Sequence, residues 1–139
     1  MRFMVIVKAS KDTEAGVMPG TEMLTAMGQF NEELVKAGMM EAGEGLHPTI
    51  SGARIGYSGG GKGSVTKGPF PLTGDLIAGF WLINANSLDE AIAWMKRAPF
   101  GDGDAIEIRQ VFSTEDFGEA LTPELREQEE RLRAQAGMK

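Results

Sequence analysis

The side chains able to do chemistry are few, and most of them lie between His47 and Asp75. His47 is the one histidine among 139 residues, and cysteine is absent. Histidine titrates at about 6.5 in water, which suits a general base or a pH switch. The structural alternative is a strand-end histidine satisfied by backbone groups. A thiolate nucleophile, a disulfide scaffold and a cysteine zinc site are all excluded. A transition metal would have to be held by carboxylates, and no ligand spacing supports one, so neither metal nor cofactor is expected. Arg54, Lys67 and Arg109 are the cations that could line a pocket for an anionic ligand. Their structural alternative is solvated edge-strand charge, which also guards against aggregation.

Gly56-Tyr-Ser-Gly-Gly-Gly-Lys62 has the glycine and lysine spacing of a phosphate-binding P-loop. The next residue must be Ser or Thr to hold magnesium, and here it is Gly63. A strand pattern follows where a helix is required, so the glycines are assigned to a hairpin turn.

These residues need elements to position them. The length suits one domain, long enough for a core without disulfides or metals. The net charge is −6, and no basic surface fit to neutralise phosphates is evident, so direct nucleic-acid binding is not expected. No run approaches the roughly 20 apolar residues of a membrane span, and the apolar N-terminus is too short for a signal peptide. The expected location is cytoplasmic.

Arg2 to Ala9 alternates as a strand, with Phe3, Val5 and Val7 on one side and Met4 and Ile6 on the other. Residues 10–20 are assigned to a polar loop ending in Pro19-Gly20. Thr21 to Ala37 is a helix, with Thr21 as its cap and Gly38 as its left-handed stop. Met23, Met27, Phe30 and Leu34 form its apolar stripe. A strand near residues 40–46 is interrupted by Gly43 and Gly45. Residues 53–58 and 64–67 pair as a hairpin, which would place Arg54 and Lys67 on adjacent strands near its base. A tight Gly68-Pro69 turn, with Lys67 before it and Asp75 after it, leads to a strong strand at residues 78–84. Ser87-Leu-Asp-Glu90 is a capping box for a second helix through Arg97, with Leu88, Ala91, Ile92 and Met95 as its buried stripe. The last strand is Ala105 to Phe112. A charged helix follows Thr122-Pro123, with Leu125 and Leu132 as its large apolar residues; it is expected on the surface or on a partner subunit.

The order β, α, β, hairpin, β, α, β predicts an α+β fold: a ferredoxin-like, split βαβ sheet with two helices on one face. The expected division is a domain at residues 1–113 and an extension at residues 114–139. The other sheet face would be bare, with Met4, Ile6, Phe80 or Trp81, and Ile106 or Ile108 as its candidates. A bare apolar face calls for a partner, and a two-fold homodimer is the simplest.

Several blocks carry a resemblance. Lys8-Ala-Ser-Lys-Asp-Thr-Glu-Ala-Gly-Val-Met-Pro19, Glu41-Ala-Gly-Glu-Gly-Leu-His-Pro48 and Val65-Thr-Lys-Gly-Pro-Phe70 come first. Leu88-Asp-Glu-Ala-Ile-Ala-Trp94, Ile106-Glu-Ile-Arg-Gln-Val-Phe112 and the tail from Glu115 to Arg126 follow in order. Together they resemble the YCII-related family, in the branch named for its DGPF motif. The resemblance implies a dimeric α/β barrel with a cleft near the dimer interface. It also implies a catalytic histidine, here His47, paired with an acid. Lys67 stands where the motif has that acid, and Asp75 is the nearest replacement. Two readings stay open at this point. One is an enzyme in which His47 acts as acid or base while Arg54 or Lys67 holds a small anionic molecule. The other is a noncatalytic regulatory or interaction module, which the resemblance links with alternative sigma factors.

Overall fold

The computed structural model describes residues 1–138. Six strands run in chain order: β1 (Arg2–Lys8), β2 (Met40–Gly45), β3 (Ala53–Tyr57), β4 (Gly63–Lys67), β5 (Ile77–Asn84) and β6 (Ile106–Gln110). Four α-helices accompany them: α1 (Lys11–Glu14), α2 (Thr21–Lys36), α3 (Leu88–Met95) and α4 (Pro123–Ala136). The main sheet has the order β2-β5-β1-β6 with every neighbour antiparallel, and β3-β4 is a separate hairpin. This is the ferredoxin-like α+β plan with a hairpin inserted between β2 and β5.

Side chains alternate across a strand, so register decides which face each residue serves. Phe3, Val5 and Val7 on β1 stand opposite Ile83, Trp81 and Gly79 on β5, and opposite Gln110, Ile108 and Ile106 on β6. This face meets α2 through Phe30 and Leu34, and α3 through Ala91 and Met95, in one buried cluster. Phe3, Val5, Leu34 and Ile83 are its most fully buried side chains, each stabilising by about 1.5–3 kcal/mol. Trp81, Ile106 and Ile108 therefore belong to the helix-covered face. Met4, Ile6, Phe80 and Leu82 occupy the other face and are half-buried.

The local signals differ from expectation at several points. Gly20, not Thr21, caps α2, and Thr21 is the first helical residue. Gly38 takes the left-handed conformation, φ 71°, as the helix stop requires. Met23, expected in the apolar stripe of α2, is exposed, and the buried positions of that helix are Phe30 and Leu34. On α3 only Ala91 and Met95 are buried, while Leu88 and Ile92 face outward. Ser87 caps α3 by accepting from the Glu90 N–H at 3.1 Å. The Glu90 carboxylate reaches back to the Asn86 N–H at 3.4 Å rather than to Ser87. Residues 11–14, expected in a loop, form α1, closed by reciprocal bonds between Ser10 and Thr13. Among the described residues no helix is long and apolar enough to cross a membrane.

Candidate functional site

A cleft of about 560 Å³ opens between the end of β2, the helix-facing side of the sheet and α2. Its floor is made by missing side chains. Gly43 lies opposite Trp81 on β5, Gly45 lies opposite Gly79, and Gly79 lies opposite Val7 on β1. All these positions point toward α2, and all line the cleft. Each glycine has its own reason. A Cβ at Gly43 would come within 2.9 Å of both Trp81 Cδ1 and Met40 Cε. A Cβ at Gly79 would come within 2.8 Å of the Glu44 carbonyl oxygen, so only glycine lets β2 approach this closely. A Cβ at Gly45 would meet nothing within 4 Å, so that glycine leaves open space.

Trp81 is the back wall. It is 5% exposed and stands edge-on to Phe30 at 5.9 Å and to Phe100 at 6.1 Å. Such edge-to-face pairs contribute about 0.5–1.5 kcal/mol each beyond their burial. The Trp81 indole N–H donates to Asn31 Oδ1 at 2.9 Å, tying the strand to α2. Met27 lines the cleft one helical turn before Asn31.

The near wall is the segment after α1. Thr13 and Gly16 through Pro19 line the cleft, with Val17 and Met18 exposed at 57% and 81%. Opposite them the chain leaves β2 through Leu46, His47 and Pro48, which also line it. Glu14 holds the two sides together. Its carboxylate accepts from the Thr49 N–H at 3.0 Å and from the Thr49 hydroxyl at 2.7 Å. Thr49 Oγ1 in turn accepts from the Phe70 N–H at 2.9 Å. One side chain thus joins α1, the His47–Pro48 segment and the turn that follows the hairpin.

His47 is exposed on the cleft, where it can reach a bound molecule. The expected cations are elsewhere. Arg54 leaves the hairpin base, stacks over the Phe70 ring at 4.0 Å and pairs with Asp75 at 3.6 Å. Lys67 pairs in register with Ala53, beside Arg54, and is exposed. Arg109 lies opposite Met4, on the other face of the sheet, and pairs with Glu107 at 3.5 Å. The structure therefore brings Arg54, Lys67 and Asp75 together at the hairpin base, linked to the His47 segment through Phe70 and Thr49. It does not bring Arg109 to them, and no lysine or arginine among the described residues lines the cleft. The Thr73 hydroxyl bonded to the Asp75 carboxylate holds that acid below its ordinary range, and the Arg54 guanidinium adds to the effect.

Residues 13–19, Asn31 and Gly79 were not candidates on sequence, although they build the cleft. The available signal was the pair Gly43 and Gly45, two apart on one strand face. A wider depression of about 800 Å³ lies between residues 115–121 and α4. It is shallower, and Glu115, Glu119, Glu127, Glu130 and Arg126 line it as solvated charges. No three histidine, aspartate or glutamate side chains among the described residues are grouped to share a metal ion.

The YCII-related domain profile matches residues 1–115. No curated protein matches the chain. Among solved structures, the chain is similar to 5-chloro-2-hydroxyhydroquinone dehydrochlorinase (TftG) from Burkholderia phenoliruptrix AC1100, in complex with 2,5-dihydroxybenzoquinone. That likeness has a TM-score of 0.41 and 15% identity, over 81% of this chain and 96% of the other.

Proposed function

The chain belongs to the YCII-related family, and from that premise we propose that it binds a small molecule in the glycine-floored cleft, as a two-fold dimer, with His47 as the group placed for acid–base work. The observation that carries this reading is the cleft itself. The cleft leaves apolar surface beside the core in contact with water, and a bound molecule that covers it gains the free energy of that burial. Its volume and apolar lining fall in the range of ligand sites, which carry a few polar groups to set orientation. Here those groups are Thr13, Asn31, Glu44 and His47. Arg54 and Lys67, with Asp75 beside them, form the outer polar rim of the site through the Thr49–Phe70 link. They would meet only a ligand that extends out of the cleft. Arg109, on the far face, belongs with the proposed dimer interface.

The test uses N-phenyl-1-naphthylamine, a neutral apolar dye, and the Gly45→Leu variant. A Cβ at this position meets nothing within 4 Å, so a leucine is expected to extend into the cleft, and an unchanged circular dichroism spectrum checks that the fold is kept. Saturable binding with quenching of Trp81 is expected in the native protein, weakened roughly tenfold or more in Gly45→Leu. Absence of saturable binding, or equal binding by the variant, rejects the cleft. The catalytic part is separate. Once a turned-over substrate is known, His47→Ala must abolish turnover and keep binding. Turnover unchanged in His47→Ala rejects the catalytic role of His47, whereas saturable binding with no turnover of any bound molecule leaves a binding module, the regulatory reading that the family resemblance suggests.

A further inference from the structure

We infer that the cleft recognises an uncharged molecule through a hydrogen-bond acceptor oxygen, such as a carbonyl, received by the side-chain NH2 of Asn31. The inference rests on the cleft reading above and adds the ligand's chemical class.

The argument begins with a constraint on an amide. An indole N–H can only donate, so its partner at 2.9 Å must be the Asn31 oxygen. That bond fixes which way the Asn31 amide faces and leaves Nδ2 as the outward atom. Nδ2 has no protein acceptor among the described residues. It is not sealed away either, because no buried side-chain nitrogen or oxygen among them lacks a partner. Asn31 is half-buried and lines the cleft, so the cleft is where its two N–H bonds can be met. A donor oriented by a buried tryptophan, with its own side chain held on a helix, is preorganised for an acceptor atom.

The rest of the lining sets the charge. A bound carboxylate or phosphate stripped of water needs a cation or several donors to offset its desolvation. Among the described residues no lysine or arginine lines this cleft, while the acid Glu44 does. Arg54 is engaged with Phe70 and Asp75, and the chain as a whole carries −6, which adds to the repulsion of anions. Val7, Met27, Phe100 and the Trp81 edge offer apolar contact for the body of the ligand. Met18, 81% exposed at the mouth, gains cover when such a body is present.

The experiment compares three probes of one size: 2-acetylnaphthalene, 2-ethylnaphthalene and 2-naphthoate. They differ in having a neutral acceptor oxygen, none, or an anion. Native protein should bind the ketone about three- to tenfold more tightly than the hydrocarbon, the gain of one hydrogen bond, and the anion more weakly than either. Asn31→Asp keeps an oxygen for the Trp81 indole and replaces the NH2 with an acceptor. It should abolish the preference for the ketone over the hydrocarbon. Asn31→Ala, which adds no charge, is the second variant and should also level the two neutral probes. Equal native affinity for ketone and hydrocarbon, or a preference that survives both variants, overturns the role of Asn31. Tightest binding of 2-naphthoate overturns the uncharged ligand and leaves the cleft standing. Failure of all three probes to bind, or identical binding by Gly45→Leu, rejects the cleft and this inference with it.

Discussion

Asp75 shows how single side chains at the hairpin base are tuned by neighbours rather than by burial. The Thr73 hydroxyl donates to its carboxylate, and Arg54 lies 3.6 Å away. Both favour the charged form, so the folded pKa falls below the ordinary value of 3.8. The sign follows directly. A depressed carboxylate contributes stability above its unfolded pKa, and that contribution is lost as pH falls through the folded value. An NMR titration of the Asp75 carboxyl carbon should therefore give a midpoint below 3.8, and Thr73→Val should raise it. A native midpoint at or above 3.8 would reject the hydrogen bond. The same residues show what sequence reading can reach. Arg54 and Lys67 were placed on adjacent hairpin strands from the Gly59–Gly63 turn, and the register confirms it. That they stand outside the lining of the His47 cleft was not legible, because hairpin orientation depends on contacts distant in sequence, such as Arg54 over Phe70.

At the scale of elements, glycine placement separates the strands that pack from those that leave room. Gly43 and Gly45 look like interruptions of β2 in sequence, since glycine weakens a strand and has no side chain to pack. Cross-strand register turns them into a cavity floor, because Gly79 arrives opposite Gly45 from another part of the chain. Periodicity within one segment cannot show that coincidence. Capping chemistry is local, so Ser87, Thr122 and Gly38 were legible where they stand. The helix at residues 11–14 was not, since four residues are too few for an apolar period. Gly68 shows a close approach of a different kind. A Cβ there would lie 1.7 Å from the Thr49 carbonyl oxygen, which accepts from the Gly52 N–H at 2.9 Å, in a residue whose own N–H is held by Glu14. Gly68→Ala must push the hairpin exit away from the Thr49 turn and should cost at least about 1–3 kcal/mol. Gly45→Ala, which meets open space, should stay within about 0.5 kcal/mol of the native protein. Urea midpoints measured side by side decide this, and equal losses in the two variants would mean that the Gly68–Thr49 packing is not maintained in solution.

For the molecule as a whole, the distribution of charge over the uncovered sheet face is the informative feature. The central strands β1 and β5 present Met4, Ile6, Phe80 and Leu82 there, while the edge strand β6 presents Glu107 and Arg109. Arg2 and Glu41 close the other side with an ion pair at 2.8 Å. An apolar centre with a charged border is the pattern that the proposed two-fold dimer requires of this face. The sequence pointed to this face, and the register assigns Phe80, not Trp81, to it, because alternation alone does not say which side the helices take. The C-terminal segment does not resemble a cover. In α4 the half-buried positions are Arg126, Glu129 and Arg133, while Leu125 and Leu132 are 45% and 50% exposed. In the proposed dimer a second copy of the sheet would satisfy the face by symmetry, since each apolar centre would meet its own equivalent. Such an interface would need to bury on the order of 1,200–2,000 Å², which two stacked four-stranded sheets can supply. Light scattering should then give twice the 14.9 kDa chain mass at tens of micromolar protein. Leu82→Asp places an uncompensated charge at the centre of that contact and should give the single-chain mass with helix content unchanged. Arg109→Ala, at the border, should weaken association by a few-fold at most. A native protein that runs as a single chain at these concentrations would reject the stacked dimer, and the apolar centre would then need an occupant of different origin.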